Sequence, residues 1–144
     1  MSLAGLRTDA DAKESGAWFT YKGKLELRLR YTGTGNAAFQ AAHREAMKSI
    51  RRKYRGGVEH VPDEVWRKKM IPIYARHVVA DWKGARWTDD GPDLECTPEN
   101  VEEVLSAPGL EWMLYQIIRD AENTDAYLTL EDDAKNSETP SVGS

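Results

Sequence analysis

The sequence predicts a small α+β domain, mostly α: an N-terminal β-hairpin followed by about four helices. Three observations predict it. Residues 16–31 alternate apolar and polar side chains around a Lys22-Gly23 turn. Four later segments place apolar residues at helical spacing. Asn, Pro and Thr stand where three of those helices would begin. With 144 residues, 40% hydrophobic, the chain has material for one modest core. The expected organisation is a mobile arm over residues 1–15, one domain over 16–123, and an acidic, polar, disordered tail over 124–144.

The hairpin is "GAWFTYKGKLELRLRY". A two-residue Lys22-Gly23 loop sets Trp18 opposite Leu27 and Thr20 opposite Leu25. One face then carries Trp18, Leu25, Leu27 and Leu29; the other carries Lys24, Glu26, Arg28 and Arg30. "TGTG" ends the strand and Asn36 caps the first long helix, on which Phe39, His43, Ala46, Met47, Ile50 and Tyr54 share a face. Gly56-Gly57 stops it. Pro62, with Asp63 and Glu64 behind it, opens the next helix. There Trp66, Met70, Tyr74, Val78 and Trp82 form an i, i+4 ladder that Pro72 should kink or restart and Gly84 should stop. Residues 83–95 read as a loop around "DDGPD". Thr97 caps a short helix with Pro98 first inside it, and Cys96 and Val101 are spaced for a hydrophobic staple. The last helix starts near Pro108, with a stripe of Leu110, Met113, Leu114, Ile117, Ile118 and Ala121. Trp112 and Tyr115 lie off that stripe.

Net charge is −4, which argues against the whole chain as a polyanion binder. A single cysteine, Cys96, allows no internal disulfide and fits a reducing compartment. The first fifteen residues lack the apolar run of a signal peptide, and no stretch is apolar and long enough to span a membrane. Gly33-Thr34-Gly35-Asn36 lies between strand and helix, as phosphate loops do. It lacks the Lys-Ser/Thr pair of one nucleotide motif and the third glycine of the other. His43, His60, His77 and Cys96 have no metal-ligand spacing, and "DDGPDLE" misses the calcium-loop spacing. No Ser-His-Asp or Cys-His arrangement can be assembled. The expectation is a non-enzyme with no cofactor and no metal.

Two features favour binding another protein. A lone hairpin leaves its edges open to a partner strand. Exposed aromatics such as Trp112 and Tyr115 are favoured anchors. A third feature, the basic stripe Arg44, Lys48, Arg51, Arg52 and Arg55, could meet phosphates or an acidic protein segment. The acidic balance and the lack of interleaved aromatics weigh against nucleic acid.

A short aromatic strand, an "RLR" strand, "GNAAFQAAHRE", "VVADWKG" and "TPENVEEVLSAPGL", in this order, resemble phage tail assembly chaperones over roughly residues 16–123. The most specific piece is residues 78–84. The resemblance implies a non-enzymatic protein of the host bacterial cytoplasm, absent from the mature virion. Such a protein binds the tape-measure protein, keeps it soluble and helps tail-tube protein assemble around it. It admits self-association through an open hairpin edge and makes Trp82 an anchor for the following loop. Trp18, Leu27, Leu29, Trp82, Trp112 and Tyr115 are the candidate protein-binding residues. Many members also have a longer form made by a programmed −1 frameshift. A gene reading GCA AAA AAC over residues 134–136 would carry the slippery heptamer. The alternative reading is a small helical adaptor or regulator that uses the basic first helix on nucleic acid.

Overall fold

The structure is a computed structural model that describes residues 3–128. It is the expected mostly helical α+β fold. In order come a 3-10 turn (Leu3–Leu6), α1 (Ala10–Ser15), β1 (Ala17–Tyr21), β2 (Leu25–Leu29) and α2 (Ala37–Lys53). A second 3-10 turn (Val58–His60), α3 (Asp63–His77), β3 (Val79–Lys83), α4 (Pro98–Ser106), α5 (Glu111–Ala121) and a last 3-10 turn (Thr124–Tyr127) follow. The sheet is antiparallel, in the order β1-β2-β3.

The hairpin differs in register from the sequence expectation. The turn takes positive φ at Lys22 (55°) and Gly23 (72°), and the Lys24 amide closes it onto the Tyr21 carbonyl at 3.2 Å. Lys24 then stays outside the ladder, so Tyr21 pairs with Leu25, Phe19 with Leu27 and Trp18 with Arg28. One extra loop residue exchanges the faces of β1. The exchange turns Phe19 and Tyr21 inward in place of Trp18 and Thr20, which puts more apolar surface against the helices.

The third strand is the second difference. The helical ladder through Trp66, Met70 and Tyr74 ends with α3 at His77. From Val79 the chain is extended, Trp82 pairing with Leu27 and Asp81 with Arg28, with an irregularity at Leu29↔Val79. Val78 and Val79 are β-branched and suit the strand. Trp82 faces the core in either conformation, which is why the ladder read as one helix. Gly84 follows with φ 83°, and a Cβ there would lie 2.8 Å from the Lys24 carbonyl oxygen. Only glycine lets the chain leave β3 beside the hairpin loop.

The starts of α2 and α4 are as their caps predict, while α3 starts at Asp63 with Pro62 as its cap and α5 at Glu111, three residues after Pro108. Asn36 accepts from the Phe39 amide and Thr97 from the Asn100 amide, at 3.2 and 3.1 Å. Helix α3 runs unbroken through Pro72, where a kink or restart was expected. The proline removes the amide that would bond the Lys68 carbonyl. Met70, Ile71, Ile73, Tyr74 and Ala75, all buried, hold the helix on either side of it.

The core lies between the inner face of the sheet and α2 to α5. Leu27, Leu29, Met70, Val78, Val101, Leu105, Leu114 and Ile117 are among its fully enclosed members. The packed unit extends beyond both expected ends. Of the supposed arm, α1 is capped by Asp9, and the backbone carbonyls of Lys13 and Glu14 accept from the Tyr31 amide and the Arg30 guanidinium. Of the supposed tail, Tyr127 is fully buried, and Leu128 bridges to Thr8. Residues 129–144, including the candidate frameshift position at 134–136, lie outside the described residues.

Candidate protein-binding surface

The six candidate binding residues divide by burial. Leu27, Leu29 and Trp82 are 1%, 0% and 7% exposed, so they build the core and offer no surface to a partner. The two leucines lie on the inner face of the sheet, where the helices cover them, and β3 takes the edge of β2 that a bare hairpin would have left open. Trp82 instead fixes a loop. Its indole N–H donates to the Leu94 carbonyl at 2.8 Å, and the Leu94 amide donates to the Ala85 carbonyl at the same distance. Residues 85–94 are thereby closed into a compact loop, braced outside by Arg86 against Asp93 at 2.5 Å.

Trp18, Trp112 and Tyr115 are on the surface. Trp18 stands on the outer face of the sheet, flanked by the Lys83 ammonium at 4.4 Å and the Arg28 guanidinium at 5.7 Å from its ring centre. Trp112 and Tyr115 project from α5 on either side of its exposed face. Tyr115 stacks on Trp66 of α3, with centroids 5.8 Å apart and planes 6° from parallel. Its hydroxyl donates to Asp63 at the start of α3. Loss of solvation, followed by the Asp63 hydrogen bond and charge, pushes the Tyr115 phenol up to about 12. Trp112 leans toward the hairpin, 6.2 Å from the Tyr21 ring, with the Lys22 ammonium 5.1 Å from its own centre. Sequence reasoning missed Trp66 as a surface partner, because the i, i+4 ladder placed it in the core with Met70 and Tyr74. These rings are held at fixed angles by the fold, which lowers the entropy cost of using them as anchors.

Arg44, Lys48, Arg51 and Arg52 are exposed along α2, whereas Arg55, expected on the same helix, lies in the turn just beyond its end at Lys53. Lys48 meets Glu45 at 3.8 Å; among the described residues the four arginines meet no carboxylate. Lys48, Arg51, Arg52 and Arg55 border one shallow depression. His43 lies inside the stripe against Phe39, and partial burial, then the Arg51 charge, lower its pKa. Cys96 is half-buried; burial, then the Asp81 charge, push its thiol up to about 11, so it is a poor nucleophile. Among the described residues, no three His, Cys, Asp or Glu side chains are grouped to hold a metal ion. No described helix is long and apolar enough to cross a membrane.

Residues 34–136 match the family model of the YdaY prophage protein. The chain belongs to the YdaY prophage protein family. The matched region begins just before α2 and takes in β3 and every later helix, together with the basic stripe and the Trp112–Tyr115 face. The β1–β2 hairpin precedes it. The protein is therefore of phage or prophage origin. No curated protein and no solved structure matches the chain.

Proposed function

We propose that this YdaY-family protein is a non-enzymatic tail assembly chaperone. It binds the tape-measure protein in the host cytoplasm, keeps it soluble and assists assembly of the tail-tube protein around it. The observation that carries the reading is the pair Trp112 and Tyr115, 36% and 37% exposed on α5 and braced by Lys22, Trp66 and Asp63. Surface aromatics held by their neighbours suit the apolar stripe of a long helical client. The prophage origin supplies the setting, and the ordered resemblance to tail chaperones supplies the client. Coexpression with the long helical protein encoded downstream tests it: the client should move from the insoluble to the soluble fraction and copurify.

A second reading has one observation in its favour. Four exposed arginines without carboxylate partners among the described residues, three on α2 and Arg55 just past its end, could meet a nucleic-acid backbone. An adaptor of that kind would bind duplex DNA with an affinity that falls steeply with salt. DNA binding that is absent at low salt would remove this reading.

A further inference from the structure

We propose that the groove between β1 and α5 is a pocket for a cationic side chain, lysine or arginine, carried on an extended segment of a partner protein. The groove encloses about 370 Å³ and is walled by Phe19, Tyr21 and Lys22 of the hairpin and by Trp112, Gln116 and Asp120 of α5. Three features of these walls select the ligand. Tyr21 is 5% exposed, yet its hydroxyl has no hydrogen-bond partner among the described residues. Burial, then the nearby Asp120 carboxylate, disfavours ionisation of the Tyr21 phenol. The Asp120 carboxylate has no cation beside it among the described residues. Gln116 orients it, its amide donating to the two oxygens at 3.2 and 3.3 Å.

An anion entering this groove would be repelled by Asp120. An apolar side chain would strip water from that carboxylate and leave the Tyr21 hydroxyl as it is. A cation answers both, because its N–H groups donate to the carboxylate and to the phenolic oxygen while its charge rests on the Trp112 ring. The chain itself demonstrates the last contact: the Lys22 ammonium already sits 5.1 Å from that ring centre. The backbone of the ligand follows from the sheet. β1 is an outer strand, paired on one side with β2, and among the described residues no strand pairs with its other side. An extended segment can add there, setting alternate side chains toward the groove.

The inference does not rest on the tape-measure reading, since a failed coexpression leaves this test untouched. The full chain, isotopically labelled, is titrated with the peptide acetyl-Thr-Val-Lys-Val-Thr-amide and with the same peptide carrying glutamine for lysine. The expected result is saturable shifts at the Trp112 indole N–H and the β1 amides. The glutamine peptide should bind at least about tenfold more weakly, the scale of a cation–π contact plus a charge-assisted hydrogen bond. Asp120→Asn should weaken the lysine peptide by a similar factor. Tyr21→Phe keeps the ring packing and should weaken it as well. No saturable binding, equal binding of the two peptides, unchanged affinity in Asp120→Asn, or shifts confined to α2 would each overturn the proposal.

Discussion

The hydroxyl of Tyr127 donates to the backbone carbonyl of Leu29 at 2.8 Å, joining residues 98 apart in sequence. Its ring lies 4.9 Å from Tyr31 and 6.3 Å from Phe19. This contact fastens the last described turn to the central strand. Tyr127→Phe removes this donor and keeps the ring, which should cost about 0.5–1.5 kcal/mol. Tyr127→Ala also opens a cavity and should cost about 3–5 kcal/mol. Urea unfolding measures both. A Tyr127→Phe variant as stable as the parent would show that the contact contributes nothing.

The Trp82 indole bond to Leu94 should set the dynamics of residues 85–94. Trp82→Phe retains most of the buried ring but loses the donor, at about 1–2 kcal/mol. Hydrogen exchange should accelerate at the Leu94 amide, which bonds Ala85, more than at the α5 amides. Uniform acceleration would mean that Trp82 stabilises the whole domain without holding this loop in particular.

Stability should fall in alkali. Burial raises the phenols of Tyr21, Tyr74 and Tyr127 above the ordinary 10.0, and Tyr115 is raised to about 12. A raised pKa means the folded state holds its proton more tightly than the unfolded state. The associated stability is therefore complete below pH 10 and is lost as pH climbs through the folded values. Urea midpoints should be insensitive to these groups at neutral pH and should drop from about pH 10 upward. The same experiment on Tyr127→Phe should give a shallower drop.

Asp63→Asn should bring the Tyr115 phenol back toward its ordinary value, because both the charge and the charged acceptor that raise it are gone. Absorbance titration near 295 nm of the parent and the variant reads the difference. An unchanged curve would mean that loss of solvation alone sets the Tyr115 value.

How much of this could be read from the sequence depended on the range of the interaction. Caps were legible because Asn36 and Thr97 bond amides three residues away. The buried stripe of α5 was legible because one period runs through Met113, Leu114, Ile117 and Ala121. The hairpin register was not legible. One residue, Lys24, decides between two facings of β1, and both leave aromatic residues inside. Strand β3 was hidden because Val78 and Trp82 satisfy a helical and an extended pattern alike. Tyr127 was hidden for a different reason: its partners Leu29, Tyr31 and Phe19 are about a hundred residues away, and nothing local marks them. Of the candidate site, Trp18, Trp112 and Tyr115 are on the surface. Leu27, Leu29 and Trp82 are in the core, on the inner face of the sheet that the helices cover.

The most direct test of the chaperone account is quantitative copurification. The tape-measure protein would be coexpressed with the parent chain and, separately, with a Trp112→Ala, Tyr115→Ala double variant whose folding is checked by its unfolding curve. The account predicts soluble client that elutes with the parent, and loss of most of that client with the folded double variant. A client that precipitates equally with and without the parent chain would contradict the chaperone reading. Undiminished copurification with the double variant would contradict the assignment of this aromatic surface.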